Sequence, residues 1–344
     1  MNILVTGAMG QLGTCIMKSR EAKKGIYFYT DINGKPKENG IEKLDITNKD
    51  QVDAFIENHN IDVVINCAAY TNVEGAESHE VAAHLLNAEA PRILAEAIKK
   101  RNGWLIQIST DYVFGEEQYD TPCTEEMKGT PLGVYGITKK RGEQLIIESG
   151  CKYLIIRTSW LYCEYGHNFC KTILDKLATS DAPLKVVNDQ RGTPTYARSL
   201  ANAILKIVNR YLPNEDSEKY VGIYNYSNEG ECTWYEFACA IRAKKSETES
   251  NLAEILPCSS SEYQSKVKRP SYSVLSKKKI KDTFDLHIQN WVLDLDLCID
   301  LMDVHSIMET LHTIFTKKEQ EEFDKNSIGS GKQSNRLDEP IYLK

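Results

Sequence analysis

The first twenty residues constrain this chain more than any other stretch. Residues 3–5 are a short apolar run. Gly7, Gly10 and Gly13 follow at G-x-x-G-x-x-G spacing, and residues 11–19 carry apolar side chains at three- and four-residue intervals. A strand that turns through glycine directly into a helix is half of a βαβ unit. The pattern then repeats. Apolar runs at 26–29, 63–66, 104–108 and 153–156 alternate with amphipathic stretches at 51–58, 79–100 and 135–148. Short continuous apolar strands alternating with longer helices predict a parallel sheet buried on both faces. Right-handed crossovers make this an α/β chain, a Rossmann-type doubly wound parallel sheet.

After about residue 165 the rhythm changes. A helix is predicted over 168–178, a short strand at 184–187, a long helix over 196–211, a polar loop at 213–219, a strand at 221–226 and a helix over 233–243. We therefore expect a dinucleotide-binding domain of residues 1–165 with returning segments at about 193–226, and a smaller α+β substrate domain of 166–192 and 227–316. Residues 317–344 are charged, contain Gly and Ser, and lack apolar periodicity, which predicts a flexible tail.

Of the 344 residues, 41% are hydrophobic and 26% charged, the balance of an ordinary globular protein. The net charge of −7 argues against nucleic acid as a partner, so any phosphate site must be local. Ten cysteines are scattered without a C-x-x-C pair or zinc spacing; no metal is expected, and free thiols fit a cytoplasmic location. The chain enters a strand at once, leaving no room for a secretory leader, and no apolar run approaches membrane-spanning length.

The glycine turn has a chemical reading. Gly7, Gly10 and Gly13 allow a tight turn, close backbone approach to a pyrophosphate, and close helix–strand packing; Met9, Gln11 and Leu12 complete the turn and open the helix. Asp31 ends the second apolar run, where a carboxylate binds a ribose 2′-hydroxyl. That leans toward NADH without excluding NADPH. Asp45 and Ile46 follow the third strand, beside an adenine or, for Asp45, as a cap on the next helix. Cys67, Ala68, Ala69 and Thr71 end the fourth strand, small enough for a cofactor to lie against it or simply for close packing.

A proton-transfer device complements that turn. Tyr135 and Lys139 stand four apart on a predicted helix, on one face and roughly 6 Å apart along the axis. A phenol of pKa about 10 beside a fixed cation gives up its proton more easily. Thr110, at the end of an upstream strand, can hydrogen-bond the same reacting oxygen.

Taken in order, these strings resemble the extended short-chain dehydrogenase/reductase superfamily, and most closely the dTDP-4-dehydrorhamnose reductase family. The resemblance spans roughly residues 1–300. Its specific parts are Ser109-Thr110-Asp111-Tyr112-Val113-Phe114, Arg157-Thr158-Ser159-Trp160 and Asn188-Asp189-Gln190, with Lys268-Arg269-Pro270 farther on. It implies NADPH- or NADH-dependent reduction of a C4 keto group on a nucleotide sugar. Tyr135 would be the proton donor, Lys139 would hold the nicotinamide ribose and Thr110 would bond the oxygen. It implies substrate contacts from Thr71, Val73, Asp111, Tyr112 and Trp160 on the sugar side. Asn188, Asp189, Gln190 and Arg269 would meet the nucleotide diphosphate, Arg269 because a guanidinium pairs bidentately with phosphate. Asn87 would orient backbone near the triad.

Some members of the family dimerise through a magnesium ion held partly by a glutamate early in the first helix. Cys15 stands there, so magnesium is not expected, and a monomer or homodimer stays open. Arg191 replaces a common aromatic residue, and the chain beyond about Asp294 carries no family motif. Two other readings remain open at this point: another nucleotide-sugar reductase or epimerase, and a non-catalytic NADP-binding subunit like that of methionine adenosyltransferase.

Overall fold

Seven short strands, all but the charged edge strand β3 largely apolar, make one parallel sheet: β1 (Asn2–Thr6), β2 (Ile26–Asp31), β3 (Glu42–Lys43), β4 (Val63–Asn66), β5 (Trp104–Thr110), β6 (Lys152–Thr158) and β7 (Gly222–Asn225). Their order is β7-β6-β5-β4-β1-β2-β3. The computed structural model describes residues 1–304 and 307, apart from Glu116, Gln118, Gln264 and Lys266. The tail expected at 317–344 lies outside the described residues. Met1–Ile299 form one compact unit.

Strand order reverses between β1 and β4, which leaves a crevice at their carboxyl ends, where ligands bind in sheets of this kind. The helices that matter for it are α1 (Gln11–Lys18), α2 (Lys49–Asn58), α3 (Ala90–Lys99), α4 (Val134–Ser149), α5 (Phe169–Thr179), α6 (Ala197–Arg210) and α7 (Trp234–Lys245). Leu4, Val64, Leu105 and Ile155 point from successive strands into one apolar layer with Val52 and Ile56 of α2, Leu94 and Ile98 of α3, and Ile146 of α4. Their strand neighbours Ile3, Val5, Ile65 and Ile106 are fully buried too. With a side-chain period of two, these face the opposite layer, where α1 packs on α6.

Around this frame stand three two-stranded pairs: Leu161–Tyr162 with Thr195–Tyr196, Arg191–Gly192 with Cys232–Thr233, and Leu184–Val187 with Ile255–Cys258. The strand expected at 221–226 returns to the main sheet beside β6.

The helix expected over 79–100 is broken. Glu80–His84 is α-helical, Leu85–Glu89 forms a π turn, and α3 starts at Ala90. Pro91 has no N–H to give the Asn87 carbonyl, so the regular ladder fails there. Gly142 of α4 uses the gap: a Cβ on it would lie 2.1 Å from the Asn87 carbonyl oxygen. Asn87 in turn holds the loop after β4. Its Oδ1 accepts from the Tyr70 amide, and its Nδ2 donates to the Tyr70 carbonyl and to Thr138 of α4.

Candidate active site

The glycine turn is shaped to sub-methyl tolerance. Gly7 has φ +63°, and a Cβ on it would sit 2.6 Å from the Ala68 nitrogen; one on Gly13 would sit 2.3 Å from the Gly7 carbonyl oxygen. Gly10 meets nothing closer than 3.2 Å and leaves the start of α1 without a side-chain cap. A helix start with backbone amides and no side chain over it fits a dinucleotide's pyrophosphate. Asp31 steadies this turn, because its carboxylate accepts from the amides of Met9 and Asn33.

From the turn a cavity of about 720 Å³ runs across the strand ends. Gly7, Gly10, Gln11, Leu12, Gly13, Asp31, Asp45, Ile46, Cys67, Ala68, Ala69 and Thr71 line its one half. Val73, Thr110, Asp111, Tyr112, Tyr135, Lys139 and Trp160 line the other. Met9 is absent from the lining; its side chain is largely exposed and only its amide serves the turn. Asp45 makes a local turn, accepting from the amide and hydroxyl of Thr47, while Asn48 caps α2.

A buried polar rail underlies the cavity. Thr6 donates to Asn66 at 2.6 Å, Asn66 to Gln107 at 2.7 Å, and Gln107 to the Ile108 carbonyl at 2.8 Å. The same carbonyl accepts from the Lys139 ammonium at 2.6 Å. Polar side chains this deep persist because each is bonded to the next.

Tyr135 and Lys139 leave the first turns of α4 on the cavity side. The lysine is 4% exposed, and burial pulls its pKa down to about 8, with the Glu143 carboxylate opposing. The expected lowering of the phenol is not seen. Burial raises the Tyr135 pKa, Asp111 and Tyr112 push the same way, and only the Thr110 hydroxyl pulls back. The lysine is spent on the Ile108 carbonyl, so in this state the phenol is a held proton rather than a ready phenolate. The Thr110 hydroxyl donates to Asp111, which also accepts from Ser273 at 2.7 Å. Burial lifts the Asp111 pKa to about 6. Tyr112 packs its ring edge-on to Tyr135, with centroids 5.5 Å apart.

Trp160 has a left-handed backbone (φ +46°) and covers Gly192, whose Cβ would fall 2.7 Å from the indole. Trp234 stacks on it at 3.6 Å. Such a backbone in a bulky residue stores strain that its surroundings must hold.

The remaining substrate-side candidates stand apart from the cavity. Asn188 accepts from Thr233, Asp189 accepts from the amide and hydroxyl of Ser260, and Gln190 donates to that hydroxyl. Arg269 donates to the Tyr112 hydroxyl and pairs with Glu74, each at 3.3 Å, while its Nε is buried without a partner. Sequence reasoning missed Gly166, His167 and Asn168, which also line the cavity. Asn168 caps α5 and donates to Gln11 of the glycine turn. An Asn before an amphipathic run was legible as a cap, but not its reach across 157 residues. Ser109 and Thr158 also line the cavity beside strings already singled out. Among the described residues, no cluster of His, Cys, Asp or Glu is placed to hold a metal ion, and no helix is long and apolar enough to cross a membrane.

The model of the RmlD substrate binding domain family matches residues 1–304. The dTDP-4-dehydrorhamnose reductase of Aggregatibacter actinomycetemcomitans is 36% identical over 292 residues, covering 84% of this chain and 95% of that protein. Among solved structures, a dTDP-4-dehydrorhamnose reductase from Clostridium acetobutylicum shares 37% identity at TM-score 0.76, covering 88% of this chain and all of that one. The Bacillus anthracis dTDP-4-dehydrorhamnose reductase, solved with NADP, shares 33% identity at TM-score 0.75, covering 87% and 98%. A glycine turn, a strand-end cavity and a Tyr–Lys helix thus come together in a chain that matches one family model almost from end to end: it belongs to the RmlD substrate binding domain family.

Proposed function

We propose that this protein is an NAD(P)H-dependent oxidoreductase that reduces the C4 keto group of dTDP-4-dehydro-L-rhamnose to dTDP-L-rhamnose, a step of nucleotide-sugar supply for cell-surface polysaccharide. The observation that carries the reading is that Thr110, Tyr135 and Lys139 share one cavity with the glycine turn. The relatives named above carry the same activity in their names.

A reduced nicotinamide dinucleotide, NADPH or NADH, supplies the hydride when bound over the turn. The chain's own residues do the rest. Gly7, Gly10, Gln11, Leu12 and Gly13 give backbone and helix-end amides to the phosphates, and Asp31 faces the adenosine ribose. Tyr135 gives its proton to the C4 oxygen. Lys139 holds the nicotinamide ribose and steadies the charge left on the phenol, and Thr110 bonds the same oxygen. Holding the phenol proton until hydride arrives suits a general acid, and supports the direction of reduction. Thr71, Val73, Asp111, Tyr112 and Trp160 enclose the sugar.

Asn188, Asp189, Gln190 and Arg269 serve the nucleotide diphosphate once they exchange their present partners. In this reading residues 1–165 and 193–226 hold the dinucleotide, and 166–192 with 227–316 hold the sugar nucleotide. The enzyme works in the cytoplasm as a monomer or homodimer.

The test is a coupled assay that supplies the dTDP-4-keto-6-deoxy sugar with NADH and NADPH separately, followed by product identification. Oxidation of either dinucleotide with formation of dTDP-L-rhamnose is expected. Purification with a full complement of tightly held NAD, or the absence of any turnover, would overturn the reading.

A further inference from the structure

We infer that Glu143 is a positioning residue for the proton-transfer pair: its carboxylate, one helical turn beyond Lys139, ties α4 to the ends of β5 and β6 and sets a counter-charge beside the lysine ammonium. The inference rests on the reading of Tyr135 and Lys139 given above.

Glu143 is 1% exposed. A carboxylate that deep stays ionised only when its oxygens are fully engaged. They are: Ser109 donates to it at 2.6 Å, Arg157 donates through Nε at 2.9 Å and Nη2 at 2.7 Å, and Lys140 reaches it at 3.3 Å. Two of these donors come from other walls of the site, and Lys140 from the same helix. Ser109 precedes Thr110 on β5. Arg157 precedes Thr158 on β6 and stands in register with Ser109. The carboxylate itself rides on the helix that presents Tyr135 and Lys139. One side chain therefore fixes the distance between the hydroxyl of Thr110, the phenol and the ammonium.

Stability alone does not ask for this arrangement, since buried ion pairs are commonly matched or bettered by apolar side chains of the same volume. What apolar side chains cannot supply is negative charge near Lys139. Glu143 is the group that opposes the burial of that ammonium. The other charged or titratable groups around the lysine are engaged elsewhere. Asp111 is bonded to Thr110 and Ser273, Arg157 is taken by Glu143 itself, and Glu89 of the π turn pairs with Arg92. Glu77 accepts from the Val134 amide at the start of α4, and Glu74 pairs with Arg269. Tyr135 and Lys140 share its helix, and Cys67 closes the β4 side with its thiol held protonated by burial.

The experiment uses the full-length chain and two variants. Glu143→Gln combined with Arg157→Met removes both charges, so that no bare guanidinium is left to unfold the core; Glu143→Asp keeps the charge. Lys139 is followed directly by NMR of protein carrying ¹³C at the lysine ε-carbon, its signal assigned by loss in Lys139→Met. In the double variant the Lys139 titration midpoint should fall by about one pH unit, and turnover at pH 8 should drop about tenfold with KM for the dinucleotide within about threefold. Glu143→Asp should restore both the midpoint and the alkaline limb of kcat. A folded double variant whose lysine midpoint and kcat profile stay where they were, whatever its melting temperature, overturns the inference. A midpoint that moves while the kcat profile does not would instead sink the role given to Lys139, and the inference with it.

Discussion

The glycine-turn side of the cavity and the substrate-side candidates that stand outside it are built on opposite principles. On the glycine side Asp31 is committed to backbone amides and the buried polar side chains to one another. The turn has no room for a methyl at Gly7 or Gly13, and the Thr6–Asn66–Gln107 rail runs beneath it without a gap. Outside the cavity the candidate residues are bonded to neighbouring polar side chains: Asp189 and Gln190 to Ser260, Asn188 to Thr233, Arg269 to Glu74 and Tyr112. The first is preformed. The second is polar, and in the function proposed above it would trade its internal partners for a ligand's phosphates. A cofactor common to many chemistries suits a rigid seat. A particular sugar nucleotide is better selected by groups that complete their bonding only when it arrives.

Substitutions can break or sharpen this contrast. The largest effect belongs to the proton donor. Tyr135→Phe should lose about 10²–10⁴-fold in kcat while dinucleotide affinity, measured by fluorescence titration, stays near wild type, since only the proton donor is gone. A near-normal rate would remove Tyr135 as the acid.

Asp111, buried in the cavity wall beside Thr110, should reveal itself through pH. The folded chain holds its proton up to about 6, whereas the unfolded chain releases it near the ordinary aspartate value of 3.8. Between these values the native state binds more protons, so the contribution of Asp111 to stability falls as pH rises through that window and stays lower above it. The loss is up to about 3 kcal/mol. Chemical denaturation from pH 4 to 7 should show this slope in the wild type and not in Asp111→Asn.

Gly13→Ala tests the seat itself. The added methyl meets the Gly7 carbonyl at 2.3 Å. An overpacking strain of about 1–3 kcal/mol should appear as a dinucleotide Kd raised about 10–100-fold, or as a lowered melting temperature if the strain falls on the fold. Arg269→Ala should act on the other partner. KM for the sugar nucleotide should rise by about tenfold, with dinucleotide binding unchanged, because one charge-assisted contact is lost. The smallest effect is expected from Asp189→Ala. Its present hydrogen bond, to Ser260, is exposed to solvent, so stability of the free enzyme should change by no more than about 0.5 kcal/mol, and any larger consequence should surface only in KM for the sugar nucleotide.

Much of this was legible in order along the chain. Apolar runs that alternate with amphipathic stretches dictate a parallel sheet, because only helices on both faces can cover strands that are apolar throughout. Glycine at three fixed positions dictates a turn that larger residues cannot make, and a phenol and an ammonium four apart must share a helix face. What tertiary structure alone decided is which distant groups satisfy one another. The π turn at Leu85–Glu89 needs Pro91 and the pressing of Gly142 together. Asn168 reaches Gln11, and Glu143 collects Ser109 and Arg157. The ionisation of Tyr135 and Lys139 also belongs to this second class. Spacing placed the cation near the phenol, but burial governed the ionisation of both, and the ammonium found its hydrogen-bond partner in the Ile108 carbonyl. Periodicity is a local property of the chain, whereas desolvation and hydrogen-bond partnership depend on what folding brings within about 3 Å, and no spacing along a sequence encodes that.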